Sequence, residues 1–241
     1  MRVLALDTTT AGGSAALVDG AEVIAERCGD PSRTHAERLP ADIVALVTSA
    51  GATIASIDLF AVAYGPGSFT GLRIGIATMQ GLAFVSRRPM AAVSALEALA
   101  HIASVDAKPG AIVGAWMDAH RGEVFSALYR VASPTPFEPE RLSELEPAAV
   151  GDPAATLARW RREVENPGAT FIGDGATLYA DIIRREVGGD VRVLNASPLA
   201  GAIGRIAAAR APCGETVTPS AIRPLYVRRP DAEIARAKQI R

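Results

Sequence analysis

The residues able to do chemistry gather in a few short stretches. Asp7-Thr8-Thr9-Thr10 closes an apolar run, Val3 to Leu6, and leads into Gly12-Gly13. A carboxylate at the end of a buried strand, followed by hydroxyls and glycines, can present N–H groups to a phosphate and hold a hydrated metal. The same residues can equally satisfy the turn's own backbone. Gly65-Pro66-Gly67-Ser68-Phe69-Thr70-Gly71-Leu72-Arg73 stands between a strand pattern and a helix pattern. Free N–H groups at a helix N-terminus favour an anion there. The run lacks the Gly-Lys-Ser/Thr ending of a Walker A loop, and a rigid turn with Ser68 or Thr70 as N-cap accounts for it as well. Asp118, His120, Arg121 and Glu123 form a charged hairpin tip, open to acid–base work or to internal ion pairs. Gly173-Asp174-Gly175 follows a strand, the place where ligands sit in open α/β sheets.

Metal chemistry has little to build on. The three histidines, His35, His101 and His120, share no metal-ligand spacing. No metal and no catalytic residue is therefore assigned. From Arg223 to Arg241 the chain carries six cations against Asp231 and Glu233. Such a basic tail suits RNA, an acidic partner or solvent.

These residues need elements to position them. Residues 2–6, 14–18 and 22–27 read as a three-stranded meander, with Asp19-Gly20 as a hairpin turn. Thr34 and Glu37 have capping-box spacing, and Leu39, Ile43, Leu46 and Val47 recur at a helical period. Strands at 59–63 and 90–93 flank a helix from about 72 to 86. Ser94 and Glu97 look like a second capping box, opening a helix to 104. The pattern restarts near Pro109-Gly110, with strands at 111–117 and 123–131. Residues 134–153 read as irregular. Asp152-Pro153 opens a helix, followed by a strand at 170–172, a helix at 176–187, a strand at 191–194 and a last helix from Ser197-Pro198. Two related α/β lobes are predicted, residues 1–105 and 106–241, the last helix packing back on the first lobe ahead of the basic tail.

The helix of residues 72–86 carries one charge, Arg73 at its start, and is apolar on nearly every side. Such a helix is expected to be covered nearly all round. Its own sheet can cover one side. Gly75 and Gly81 inside it each cost about 1 kcal/mol relative to Ala, a cost that fits the close approach of another backbone. With the helix of 35–50 it can form a two-helix face for a second protein, carried by His35, Leu39, Ile43, Leu72, Gly75, Ile76 and Met79; packing purely within the chain is the open alternative.

The 241 residues are 49% hydrophobic and 21% charged, enough for a packed core. A net charge of −1 argues against a free-standing nucleic-acid binder. Cys28 and Cys213 make no disulfide framework, and the uncharged stretch 43–57 is too short and polar to span a bilayer. A soluble, cytoplasmic protein without membrane contact is expected.

Taken together and in order, these segments resemble the TsaB (YeaZ) family of tRNA threonylcarbamoyladenosine synthesis. The resemblance is carried by Leu4-Ala5-Leu6-Asp7-Thr8-Thr9-Thr10, His35-Ala36-Glu37-Arg38-Leu39-Pro40, the Gly65–Gly75 run, Met117–Val124, Gly173-Asp174-Gly175 and Pro224-Leu225-Tyr226-Val227-Arg228. It implies two ribonuclease-H-like lobes of the actin/Hsp70 superfold. It implies a non-catalytic paralogue of TsaD, the transferase, which it would bind as a heterodimer joined by the ATPase TsaE. Self-association as a homodimer through the same helical surface is implied too, with tRNA met indirectly through the complex. TsaD-like enzymes hold their metal with His-x-x-x-His, which this chain lacks. No cofactor is implied, though a nucleotide at a subunit interface stays open. The competing reading is an ATP-dependent enzyme of the actin/sugar-kinase superfold, with Asp7, Thr8 and Asp174 facing the nucleotide.

Overall fold

A computed structural model of the chain describes residues 1–165, 168–195 and 198–228. The first sheet holds β1 (Arg2–Asp7), β2 (Ser14–Asp19), β3 (Glu22–Cys28), β4 (Leu59–Gly65) and β5 (Met90–Ser94), in the order β3-β2-β1-β4-β5. Strands β1 to β3 are antiparallel, and β4 and β5 continue parallel to β1. Three helices belong to this lobe: α1 (His35–Ser49), α2 (Phe69–Ser86) and α3 (Ala95–Ser104). The second sheet repeats the plan. It holds β6 (Ile112–Asp118), β7 (Val124–Val131), β8 (Leu142–Gly151), β9 (Thr170–Ile172) and β10 (Arg192–Leu194), in the order β10-β9-β6-β7-β8. Again three strands meander and two run parallel beyond the first. Helices α4 (Pro153–Val164), α5 (Asp174–Leu178), α6 (Ala180–Val187) and α7 (Ala200–Arg210) complete it. A meander followed by two parallel strands, made twice, is the two-lobe ribonuclease-H-like arrangement of the actin/Hsp70 superfold.

Strand β1 is buried on both faces, and its alternation sorts the core. Leu4 and Leu6, with Leu17, Phe60 and Val62, meet α1 and α2. Val3 and Ala5, with Ala16, Ala61 and Ala63, face the other way, into a layer shared with α3, α7 and the second sheet. Small residues on that face let α7 come close. A Cβ at Gly204 would lie 2.5 Å from Val18 Cγ2 and 3.2 Å from Ala5 Cβ. The N-terminus of α7 is capped from the first lobe. Ser14 Oγ accepts from the N–H of Leu199 (3.1 Å) and Ala200 (3.0 Å), and Glu26 accepts from Gly201 at 2.7 Å. A helix of the second half of the chain thus lies on the first sheet.

Several boundaries differ from the pattern reading. Residues 142–151, read as irregular, form the edge strand β8. Its exposed Glu144 and Pro147 imitate loop composition, and Pro is tolerated only on such an edge. Helix α2 starts three residues earlier than 72, because Ser68 caps it by accepting from Gly71 N at 3.2 Å. The single helix expected at 176–187 is broken at Tyr179 into α5 and α6. Ser94 makes no side-chain cap bond, so the second capping box is not formed. Glu37 does reach back to Thr34 N at 2.9 Å. Ser197, and the tail beyond Arg228, lie outside the described residues.

Candidate partner interface

Asp7 ends β1 fully buried, and its carboxylate is consumed by its own turn. One oxygen accepts from Thr9 N (2.8 Å) and Thr9 Oγ1 (2.6 Å), the other from Thr10 Oγ1 (3.2 Å). Burial pushes its carboxyl above the usual range, and the threonine bonds pull it back. The cavity beside it measures about 10 Å³, room for one water at most. Thr8 is buried without exposure, pressed beneath α2.

Helix α1 closes the turn from the other side. Arg38 Nη2 donates to His35 Nδ1 at 2.8 Å and to the Gly12 carbonyl, and Nη1 pairs with Asp42 at 2.7 Å. A guanidinium only donates, so His35 Nδ1 accepts and its Nε2–H donates to Thr10 O at 3.1 Å. Burial, then the Arg38 charge, holds the imidazole below its ordinary pKa. His35 is therefore a neutral latch on the β1–β2 turn. Four residues on stands Leu39, a core residue. Among the described residues no three His, Cys, Asp or Glu side chains gather into a metal site.

The second lobe mirrors this turn. Asp118 ends β6 and accepts from His120 N at 2.8 Å, two residues on, as Asp7 does from Thr9. Asp174 accepts from Asp118 N (3.0 Å) and Gly175 N (2.8 Å). Among the described residues, no hydrogen bond or ion pair joins Asp174 to Asp7 or Thr8. The stretch 219–228 ties the lobes together. Gln80 Nε2 donates to Pro219 O at 2.7 Å, Leu225 N donates to Tyr64 O at 2.7 Å, and Arg73 Nε donates to Tyr226 Oη at 2.9 Å. Arg228 then reaches the Ala119 carbonyl and Glu123 of the β6–β7 turn.

The two-helix face needs a correction. Helices α1 and α2 do pack side by side on the first sheet. Yet Leu39, Ile43, Leu72, Gly75, Ile76 and Met79 all point into the chain's own core, none more than 4% exposed among the apolar five. His35 is buried in its latch. All seven residues are buried within the chain, and none of their side chains is available to a partner. The opposite stripe is the open one. Val44 of α1 is 61% exposed, and Phe84 and Val85 of α2 are 77% and 82% exposed. Ala77 and Gly81 of α2 are exposed as well, with Ile74 half-buried. Two of the three glycines of α2 separate accordingly. Gly75 meets Thr8, whereas a Cβ on Gly81 would meet nothing within 4 Å among the described residues. The signal for the outer stripe was present in the apolar residues 77, 81, 84 and 85, but a helix oily all round does not say which side its sheet will take. No helix among the described residues is long and apolar enough to cross a membrane.

Comparison with known proteins matches this geometry to a family. Residues 29–235 match the family model described as TsaD, tRNA N6-adenosine threonylcarbamoyltransferase. The chain is 41% identical over 133 residues to the tRNA threonylcarbamoyladenosine biosynthesis protein TsaB of Escherichia coli, covering 54% of this chain and 55% of that one, about half its length. It is 31% identical over 201 residues to the TsaB of Haemophilus influenzae, covering 81% of this chain and 82% of that one. The solved YeaZ of Pseudomonas aeruginosa superposes with a TM-score of 0.71 at 28% identity, covering 93% of this chain and 99% of that one. With the Haemophilus match running across four-fifths of both sequences and the same two-lobe fold beneath it, the chain belongs to the TsaB (YeaZ) family.

Proposed function

We propose that this chain is a non-catalytic partner subunit of tRNA threonylcarbamoyladenosine synthesis. It binds TsaD, with TsaE joining, through the outer stripe of α1 and α2, and pairs with a second copy of itself through the same stripe. tRNA is met through the complex. The observation that carries the reading is Gly81. An interior helical glycine costs about 1 kcal/mol, nothing among the described residues lies within 4 Å of a Cβ placed on it, and it is flanked by exposed Ala77, Phe84 and Val85. A close helix–helix approach from a second molecule accounts for all four residues. The absence of a free carboxylate at the β1–β2 turn, where Asp7 is consumed by Thr9 and Thr10, supports a structural rather than a catalytic role for that turn.

The test is co-purification of this chain with TsaD and TsaE, followed by a tRNA modification assay with the chain left out. The reading expects a stable complex and loss of modification on omission. ATP turnover by the isolated chain with magnesium would instead support the kinase-like enzyme.

A further inference from the structure

An open groove of about 520 Å³ lies at the C-terminal end of α2. One wall is Ala83, Phe84 and the Arg87-Arg88-Pro89 turn. The other is the stretch Thr216–Pro219. The far wall is pre-formed. Val217 and Met90 exchange backbone hydrogen bonds of 2.9 and 2.8 Å on the edge of β5, and Gln80 holds the Pro219 carbonyl. The volume is that of a site for a few side chains or a small ligand.

The charge of the groove is unbalanced. Arg87 has no side-chain partner among the described residues. Among the described residues Arg88 reaches only Asp58, at 3.9 Å, with both side chains a little under half exposed, an arrangement worth little. The ordinary reason for cations here is to answer the helix's terminal carbonyls. In α2 two of those carbonyls are met by backbone, and among the described residues no side-chain hydrogen bond answers the others: Arg87 N reaches Ala83 and Phe84, and Arg88 N reaches Ala83 O at 2.9 Å. Arg87 also sits at φ 54°, left-handed backbone that favours glycine. A guanidinium is thus held at a position where its side chain does no internal work, beside a phenylalanine 77% exposed.

We infer that this groove docks a peptide segment of a partner protein that carries an apolar side chain between carboxylates. The apolar residue would fill the space between Phe84, Pro89 and Val217, and the carboxylates would pair with Arg87 and Arg88. The inference rests on the partner-subunit reading, because Phe84 belongs both to the groove and to the outer stripe of α2. RNA fits less well. A bound strand needs a cationic track along several phosphates, and the walls here are chiefly alanine, proline, valine and threonine.

The test is fluorescence anisotropy on the full chain with a fluorescein-labelled hexapeptide, EDLFDE, and its neutral counterpart QNLFNQ. The acidic peptide should bind at least tenfold tighter. The double variant Arg87→Gln, Arg88→Gln should erase that preference, and Phe84→Ser should weaken both peptides while leaving the melting curve unchanged. Equal affinity for the two peptides overturns the inference, as does an unchanged preference in the double variant. Stronger competition by decauridylate would assign the groove to RNA instead, and equal displacement by free phenylacetate would assign it to a small acid. Co-purification with TsaD is read in parallel. If it persists while the acidic peptide shows no preference, the groove inference alone is lost.

Discussion

A Cβ on Gly75 would lie 2.1 Å from Thr8 Oγ1, so α2 rests on the turn after β1 with no room for a side chain between them. One turn earlier, a Cβ on Gly71 would lie 2.1 Å from the Thr8 carbonyl. The helix is thereby pressed on that turn, and among the described residues Thr8 Oγ1 is left buried with no hydrogen-bond partner.

Gly75→Leu should therefore damage the monomer. Overpacking against a buried turn costs about 3 kcal/mol, read as a lower midpoint in urea. A variant that melts like the parent would show that α2 can lift off the turn at no cost.

Gly81 should behave in the opposite way. Gly81→Ala is expected to stabilise the isolated chain by about 1 kcal/mol, since its helical backbone is open to any residue. Gly81→Arg should leave the monomer's melting curve intact yet lower the yield of TsaD in a pull-down at least tenfold. Undiminished capture of TsaD by this variant would remove the outer stripe as the contact surface.

Ser14 is expected to hold the lobes in place through α7. Ser14→Ala leaves the buried N–H groups of Leu199 and Ala200 without their acceptor, a loss of about 2 kcal/mol. Hydrogen exchange should quicken first at residues 199–201, and exchange unchanged there would show that the cap is dispensable.

His101 gives the chain an acid sensitivity. It is 1% exposed, stacked on Phe137 at 5.7 Å, and burial, then the charges of Arg210 and Arg141, hold its pKa near about 3 against an ordinary 6.5. The folded form refuses a proton that the unfolded form accepts. The stability this contributes is complete above pH 6.5 and falls as pH drops from there toward 3, at up to about 1.4 kcal/mol per pH unit. His101→Leu should flatten the decline of the urea midpoint between pH 6 and 4. Parallel declines in variant and parent would place the sensitivity elsewhere.

Much of the fold could be read from residue types alone. Apolar runs bounded by Asp19-Gly20 or Pro109-Gly110 mark the strands, and Asp152-Pro153 marks the start of α4, because turn and cap chemistry is local. The edge strand β8 could not be read, since Glu144 and Pro147 suit an exposed edge as well as a loop. The site divided in the same way. Sequence alone located α2 as an oily, glycine-bearing helix with a need for cover, beside an amphipathic α1. It could not set the rotation of α2, because Leu72, Ile76 and Met79 on one side and Ala77, Phe84 and Val85 on the other are equally apolar. Only the placement of the first sheet beneath them, with Thr8 wedged under Gly75, decided which stripe became core and left Gly81 facing outward. Helical period is a property of the chain; the direction of burial belongs to what the helix is packed against.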